Sequence, residues 1–295
     1  MLKKNYPIMK EKTKTEIAFR FGVLNIKVAP KTESIDSNEY YISIFKRIFD
    51  NDIACNTRGE KFMEFRSMNK TDDNKVVFGK LMYYTVLNPD DWYNRKSKTL
   101  QSVNIDSFLY PNAIEGDFYF IPEAHRFCFV LKSNGIAISQ VEKFLNQAIS
   151  KVISDKQTVF ISQELTEDFI ERIIKAESLS KLCVDISYTN NDLTDDFDKI
   201  LDNDLRDGQV KNLHLEAKSF SKETINLERS KVLSAALKLS QSNGYAEATI
   251  KEEGKNIVVS TSEYPRIEHL FTKLGREHLD VYQRIIKLFR NDRQN

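Results

Sequence analysis

Hydrophobic positions change their period along this chain, and the changes mark out its elements. From 17 to 28, Ile17, Phe19, Phe21 and Val23 alternate, and a second set at Leu24, Ile26 and Val28 alternates in shifted phase before Ala29-Pro30. A period of two is that of a strand, and the phase break beside Gly22 predicts a bulge. Over 37–50 the spacing lengthens: Tyr40, Tyr41, Ile44, Phe45, Ile48 and Phe49 recur at steps of three and four, with Ser37 or Asn38 as cap, which predicts an amphipathic helix. Strands follow at 52–57, 61–68, 75–87, 116–121 and 126–131, the last two joined by the turn Pro122-Glu123-Ala124-His125. The first half therefore reads as a curved antiparallel sheet with one helix against it.

Val141, Phe144, Leu145, Ala148, Ile149 and Val152 then give helical spacing over 139–153, with Ser139 and Glu142 in capping-box positions. Strands at 158–162, 181–188 and 210–218 each precede a helix, at 167–175, 192–203 and 227–240. A hairpin, 245–250 with 256–260, turns at Glu252-Glu253-Gly254-Lys255. This alternation predicts an α/β sandwich with helices on one face, and the hairpin argues against a purely parallel sheet. A closing helix is expected over 267–289, with Gly275 as its interruption. The fold class is thus α+β. It divides into a basic tail (1–16), a mostly β domain (17–135), an α/β domain (136–266) and a C-terminal helix (267–295), with the boundary falling between 133 and 156.

Composition narrows the picture. The 295 residues, 41% of them hydrophobic and 29% charged, suffice for one large core or two smaller ones. The three cysteines, Cys55, Cys128 and Cys183, are far apart and in apolar or alternating stretches, so buried thiols in a reducing compartment are expected. No apolar run reaches the roughly 18 to 20 residues of a membrane span, no signal-peptide core follows the first lysines, and a cytoplasmic location is the expectation. Net charge is +1, so a nucleic-acid partner must be held by a local patch. The charge is uneven: Lys3, Lys4, Lys10, Lys12 and Lys14 face only Glu11 at the start, whereas 164–207 holds thirteen acids against five bases.

Most catalytic chemistries lack their motif. His125, His214, His269 and His278 are too scattered for a zinc site, the nine glycines form no phosphate-cradling loop, and no nucleophile elbow occurs, so no cofactor is expected. The acids Asp192, Asp195 and Asp196 suit a helix start, and 192–207 lacks the calcium-loop order. The sharpest enzymatic candidate is Asp207 with Glu216 and Lys218. An acid followed by Glu-x-Lys on a strand can place two carboxylates on Mg²⁺ and a lysine near the attacking water. The same alternation also describes any half-exposed strand. For phosphate binding the candidates are Lys3, Lys4, Lys12 and Lys14, Arg58, Lys61 and Arg66 beside Phe62 and Phe65, and Arg284, Lys287, Arg290 and Arg293 near the end. Cations at a helix C-terminus are also simply stabilising.

Three segments carry a resemblance: Phe21-Gly22-Val23-Leu24-Asn25-Ile26, Arg58-Gly59-Glu60-Lys61-Phe62, and 242–248 continuing to 260–265. Their order and spacing resemble an uncharacterised bacterial family of unknown function, over roughly 17–267. More distantly, Asp117-Phe118-Tyr119-Phe120-Ile121, the hairpin, 127–131 and the helix that follows are similar in pattern to the RexA phage-exclusion family and its relatives, including the Kiwa defence subunit KwaB. That likeness implies a non-enzymatic antiphage protein that binds nucleic acid, double-stranded DNA for preference, through backbone phosphates as a homodimer. No functional residue carries over. The alternatives are the Mg²⁺-dependent nuclease and an interaction or sensor subunit whose acidic stretch 164–207 docks a protein partner of a defence complex.

Overall fold

A computed structural model of the chain describes residues 16–29, 37–131, 136–166, 168–187 and 196–289. The elements run β1 (Glu16–Ala29), α1 (Ser37–Asp50), β2 (Cys55–Arg58), β3 (Lys61–Lys70), β4 (Val77–Thr85), β5 (Trp92–Asn94), β6 (Thr99–Gln101), β7 (Ile114–Ile121), β8 (Arg126–Val130) and α2 (Ile138–Ser150). They continue with β9 (Thr158–Gln163), α3 (Asp168–Lys175), β10 (Ser178–Ile186), α4 (Asp196–Asp207), β11 (Leu213–Lys218), α5 (Lys231–Asn243), β12 (Gly244–Glu252), β13 (Lys255–Ser260), β14 (Ile267–Lys273) and α6 (Glu277–Phe289). The fold is α+β, with a strongly curled antiparallel sheet.

The larger sheet has eight strands in the order β14-β1-β8-β7-β4-β3-β2, with β9 added to β1. One edge of β1 serves two partners in succession, β14 along 16–22 and β9 along 24–29, while its other edge pairs with β8. The phase shift in its apolar residues falls at this change of partner. Inside the curl, α1 and α2 bury an aromatic cluster in which Phe45 stacks on Phe120 at 4.4 Å and Phe118 on Phe127 at 5.3 Å. Offset stacking of this kind adds to the burial of large apolar area. On the other side of the sheet, Phe21, Val23, Tyr119 and Ile121 are covered by Val281 and Ile285 of α6.

The smaller sheet, β11-β10-β12-β13, is antiparallel throughout. Leu182, Val184 and Ile186 of β10 and Ala246, Ala248 and Ile250 of β12 pack against Phe169, Ile173, Ala236 and Leu239 of α3 and α5. The intervening side chains, among them Asp185, His214, Glu216 and Tyr245, face away from the helices. Glu253 and Gly254, both at positive φ, make the tight turn between β12 and β13.

The closing helix begins at Glu277, and 267–273, which the sequence pattern assigns to it, is the strand β14. Its Glu268, Leu270 and Thr272 alternate toward α6, a period of two that the leucines further on conceal. Gly275, at φ +83°, turns the chain between strand and helix.

The chain leaves the larger sheet after β9 and re-enters it at β14, and the two crossings lie side by side. Leu165 bridges Pro265, Thr166 N–H donates to the Tyr264 carbonyl (3.1 Å), and Arg266 N–H donates to the Glu164 carbonyl (2.7 Å). Glu164 N–H donates to Val23 (3.0 Å), and the Glu164 carboxylate meets the Arg126 guanidinium at 2.8 Å. Arg126 is fully buried and also donates to Asn25 and to the Ala124 carbonyl. Removing one partner of such a pair leaves a charge stranded in a dry site. Glu164→Ala is therefore expected to destabilise the protein by about 3–5 kcal/mol in urea unfolding, and a change under roughly 1 kcal/mol would show that water reaches this pair.

Candidate nucleic-acid interface

Between β4 and β7 the chain makes a 28-residue excursion, 86–113, whose centre is the two-stranded ribbon β5-β6. The sequence builds this ribbon with side-chain turns. Asn88 Oδ1 accepts from Asp90 N–H (3.1 Å), the Trp92 indole donates to the Asn88 carbonyl (3.0 Å), and Val103 N–H donates to Pro89 (2.8 Å). At the tip, Asn94 Oδ1 accepts from Lys96 N–H (3.0 Å) and Ser97 N–H (3.2 Å), an Asx turn, and Lys98 takes φ +60°. Arg95, Lys96 and Lys98 are thus presented together on a four-residue tip, exposed and without an ion-pair partner among the described residues. The nearby acids Asp90 and Asp91 are held at the root by Ser102 and Asn88.

The same excursion exposes large apolar side chains. Tyr93 is 58% exposed, Leu100 71% and Phe108 88%, and Trp92, Leu109 and Tyr110 are also exposed. Large apolar side chains gathered on one projecting segment mark a contact surface more often than isolated exposure does. The root is firm: Tyr110 stacks on Tyr84 at 4.7 Å, and the Tyr84 hydroxyl donates to Glu64 (2.9 Å). Burial and the neighbouring Glu64 push the Tyr84 phenol well above its ordinary pKa.

The sequence-derived cations are distributed unevenly about this segment. Arg58 is exposed in the β2-β3 turn beside its root, where Val86 N–H donates to the Glu60 carbonyl (2.8 Å). Lys61, next to it, is directed at the Thr85 hydroxyl and lies 5.6 Å from the Tyr83 ring centroid. Arg66 is ion-paired with Glu115, which also holds Lys80 at 3.4 Å. Arg284 is paired with Glu268 at 2.6 Å, and Lys287 is exposed on the last turn of α6, on the side of the sheet that α6 covers. Lys3, Lys4, Lys12, Lys14, Arg290 and Arg293, with Asp192 and Asp195, lie outside the described residues. The ribbon cations went unnoticed in the sequence because strands of three residues carry too little alternation. Trp92-Tyr93, separated from Arg95-Lys96 by Asn94 alone, is the usable signal.

Asp207 ends α4 as an exposed residue, while Glu216 and Lys218 share the open face of β11. Glu216 Oε1 meets Lys218 at 2.8 Å and Lys181 at 3.4 Å, and these lysines hold its carboxyl below the usual range. No group of three or more His, Cys, Asp or Glu that could hold a metal ion occurs among the described residues. His214 Nδ1 lies 2.8 Å from Asp185, and His278 stacks on Phe78. Cys55 and Cys128 are buried, which raises their thiol pKa and makes them poor nucleophiles. No helix is long and apolar enough to cross a membrane among the described residues.

A second polar feature is a cleft of about 380 Å³ between the two sheets, walled by α2 and β9 on one side and by the ends of β10 and β12 on the other. Gly244 sits where a β-carbon would come within 2.1 Å of the Asp185 carbonyl, so only glycine lets β12 approach β10 this closely at the rim. Glu142 reaches the cleft from α2 and has no hydrogen-bond or ion-pair partner among the described residues. Burial alone pushes its carboxyl above the usual range.

Residues 17–287 match the family described as Domain of unknown function (DUF4747). No curated protein matches the chain.

The raised Glu142 carboxyl gives a signed expectation. The folded protein binds this proton more tightly than the unfolded chain, so the ionised carboxylate costs stability at neutral pH. That cost fades as pH falls through the raised value and is absent below the ordinary carboxylate range. Glu142→Gln should therefore raise Tm near pH 7 and leave it unchanged near about pH 4, as read by calorimetry. A lower Tm at both values would contradict the account.

Proposed function

We propose, for a chain that belongs to the family Domain of unknown function (DUF4747), that it binds double-stranded DNA through backbone phosphates, without catalysing a reaction on it, in the service of phage defence. The observation that carries the reading is the projecting β5-β6 ribbon, with three cations at its tip that have no ion-pair partner among the described residues and aromatic side chains along it. B-DNA's major groove, about 12 Å wide, admits a two-stranded ribbon. Cations at the tip would neutralise phosphates and release counterions, which gives affinity that is indifferent to sequence and falls steeply with salt. Arg58, beside the root, extends the basic surface, and Tyr93 and Trp92 supply faces that pack on sugar or on a splayed base.

The other cations argue for the ribbon by contrast. Arg66, Arg284, Lys181 and Lys218 each have a carboxylate within ion-pair distance, so binding a phosphate there means breaking an existing pair. The phage-defence role and the homodimer rest on the pattern likeness to the RexA family alone. A dimer has a surface to use in the edge strand β14, where Phe271 is 77% exposed.

Fluorescence anisotropy on a 20-base-pair duplex across a salt series tests the reading. The expected result is binding at about 50 mM salt that weakens log-linearly as salt rises. Arg95→Ala, Lys96→Ala and Lys98→Ala together should reduce affinity at least tenfold and flatten the log–log slope by up to about 2.7, roughly 0.9 per lost phosphate contact. Absence of binding to duplex at low salt, or an unaltered slope in the triple variant, would overturn it. In cells, the same variant should lose any protection against phage that the wild-type chain confers.

A further inference from the structure

We propose that the cleft between the two sheets binds a small organic cation, a primary amine or guanidinium compound. This site is separate from the β5-β6 ribbon and goes beyond the DNA reading. Its lining comes from both sheets: Glu142 and Asn146 of α2 and 159–163 of β9 on one side, and Asp185, Asn212, Gly244 and Tyr245 with the turn at Thr261-Ser262 on the other. About 380 Å³ is the scale of pockets that enclose small ligands.

The chemistry of the walls selects the ligand. Two carboxylates, Glu142 and Asp185, line the cleft, and among the described residues no lysine or arginine does, so an anion such as phosphate meets no fixed positive charge there. Asp185 is held in place by His214 Nδ1 (2.8 Å) and Asn212 Nδ2 (3.5 Å). Glu142 has no such support. It is carried into a half-enclosed site with its charge uncompensated, an arrangement that costs stability and that a bound ammonium or guanidinium would relieve. Val159, Ile161 and Leu165 give the floor an apolar character suited to the methylenes of an alkylamine. A neutral polyol would satisfy the hydroxyls and amides but leave the Glu142 charge as it was.

Isothermal titration of the full chain with agmatine and with spermidine, against adenosine, glucose and inorganic phosphate as comparators, decides the matter. At least one of the two amines should bind and the three comparators should not. Glu142→Gln should weaken amine binding tenfold or more while its melting curve confirms that it folds. Asp50→Asn, which removes an exposed acid paired with Lys46 far along α1, should leave binding unchanged. No heat with either amine, equal binding of a comparator, undiminished binding by Glu142→Gln, or equal loss in Asp50→Asn would each overturn the proposal.

Discussion

A buried charge pair anchors the place where the chain crosses between the two sheets. Arg126, at the start of β8, meets Glu164 at 2.8 Å in a site that neither side chain shares with solvent. Its remaining donors go to Asn25 and Ala124, and the Phe289 ring lies 4.4 Å from the guanidinium carbon. In one place the pair thus ties β1, β8, the end of β9 and the last turn of α6. The Glu164 backbone simultaneously binds Val23 and Arg266, so both crossings between the sheets are anchored to the same residue. Buried pairs are expensive to desolvate, and specificity of arrangement is what such a pair can supply in return. The inter-sheet cleft begins at Gln163 and Leu165, on either side of Glu164, so its geometry inherits the rigidity of the pair.

Net charge says little about where a polyanion could dock. The chain is close to neutral, and many of its cations are already committed: Arg66 and Lys80 to Glu115, Lys181 and Lys218 to Glu216, Arg172 to Glu252, and Arg266 and Arg284 to Glu268. Available charge depends on which cations lack a nearby acid. At the ribbon tip three such cations fall within four residues, and the neighbouring Asp90 and Asp91 are fixed at the root by Ser102 and Asn88. The cleft is the mirror case: among the described residues no lysine or arginine lines it and Glu142 has no ion-pair partner.

Much of the fold could be read from periodicity. α1 and α2 follow from apolar steps of three and four, and β10 and β12 from strict alternation with small or branched residues inward. What could not be read is pairing between strands distant in sequence. β9 looks in sequence like the opening of the second α/β unit, yet it joins the first sheet beside β1. β14 was hidden because Leu270 and Leu274 are also spaced as a helix would space them, and only its pairing with β1 distinguishes the two. The candidate sites were harder still. Arg58 and Lys61 were visible as a basic stretch near aromatics, but the ribbon beside them was not. Glu142 looked like the second half of a capping box, whereas the backbone N–H of Ala137 is met by Gln140.

The dependence of β1 on β14 bears on how the protein is made. A ribosome delivers β1 first, but the partner for its opening half and the helix that covers Phe21 and Val23 emerge some 250 residues later. Until then a long apolar strand has an open edge and a bare face, and contacts of such large sequence separation form slowly. Nascent chains therefore carry the opening half of β1 without its edge partner until β14 has been made, and the order of synthesis sets when this sheet can close.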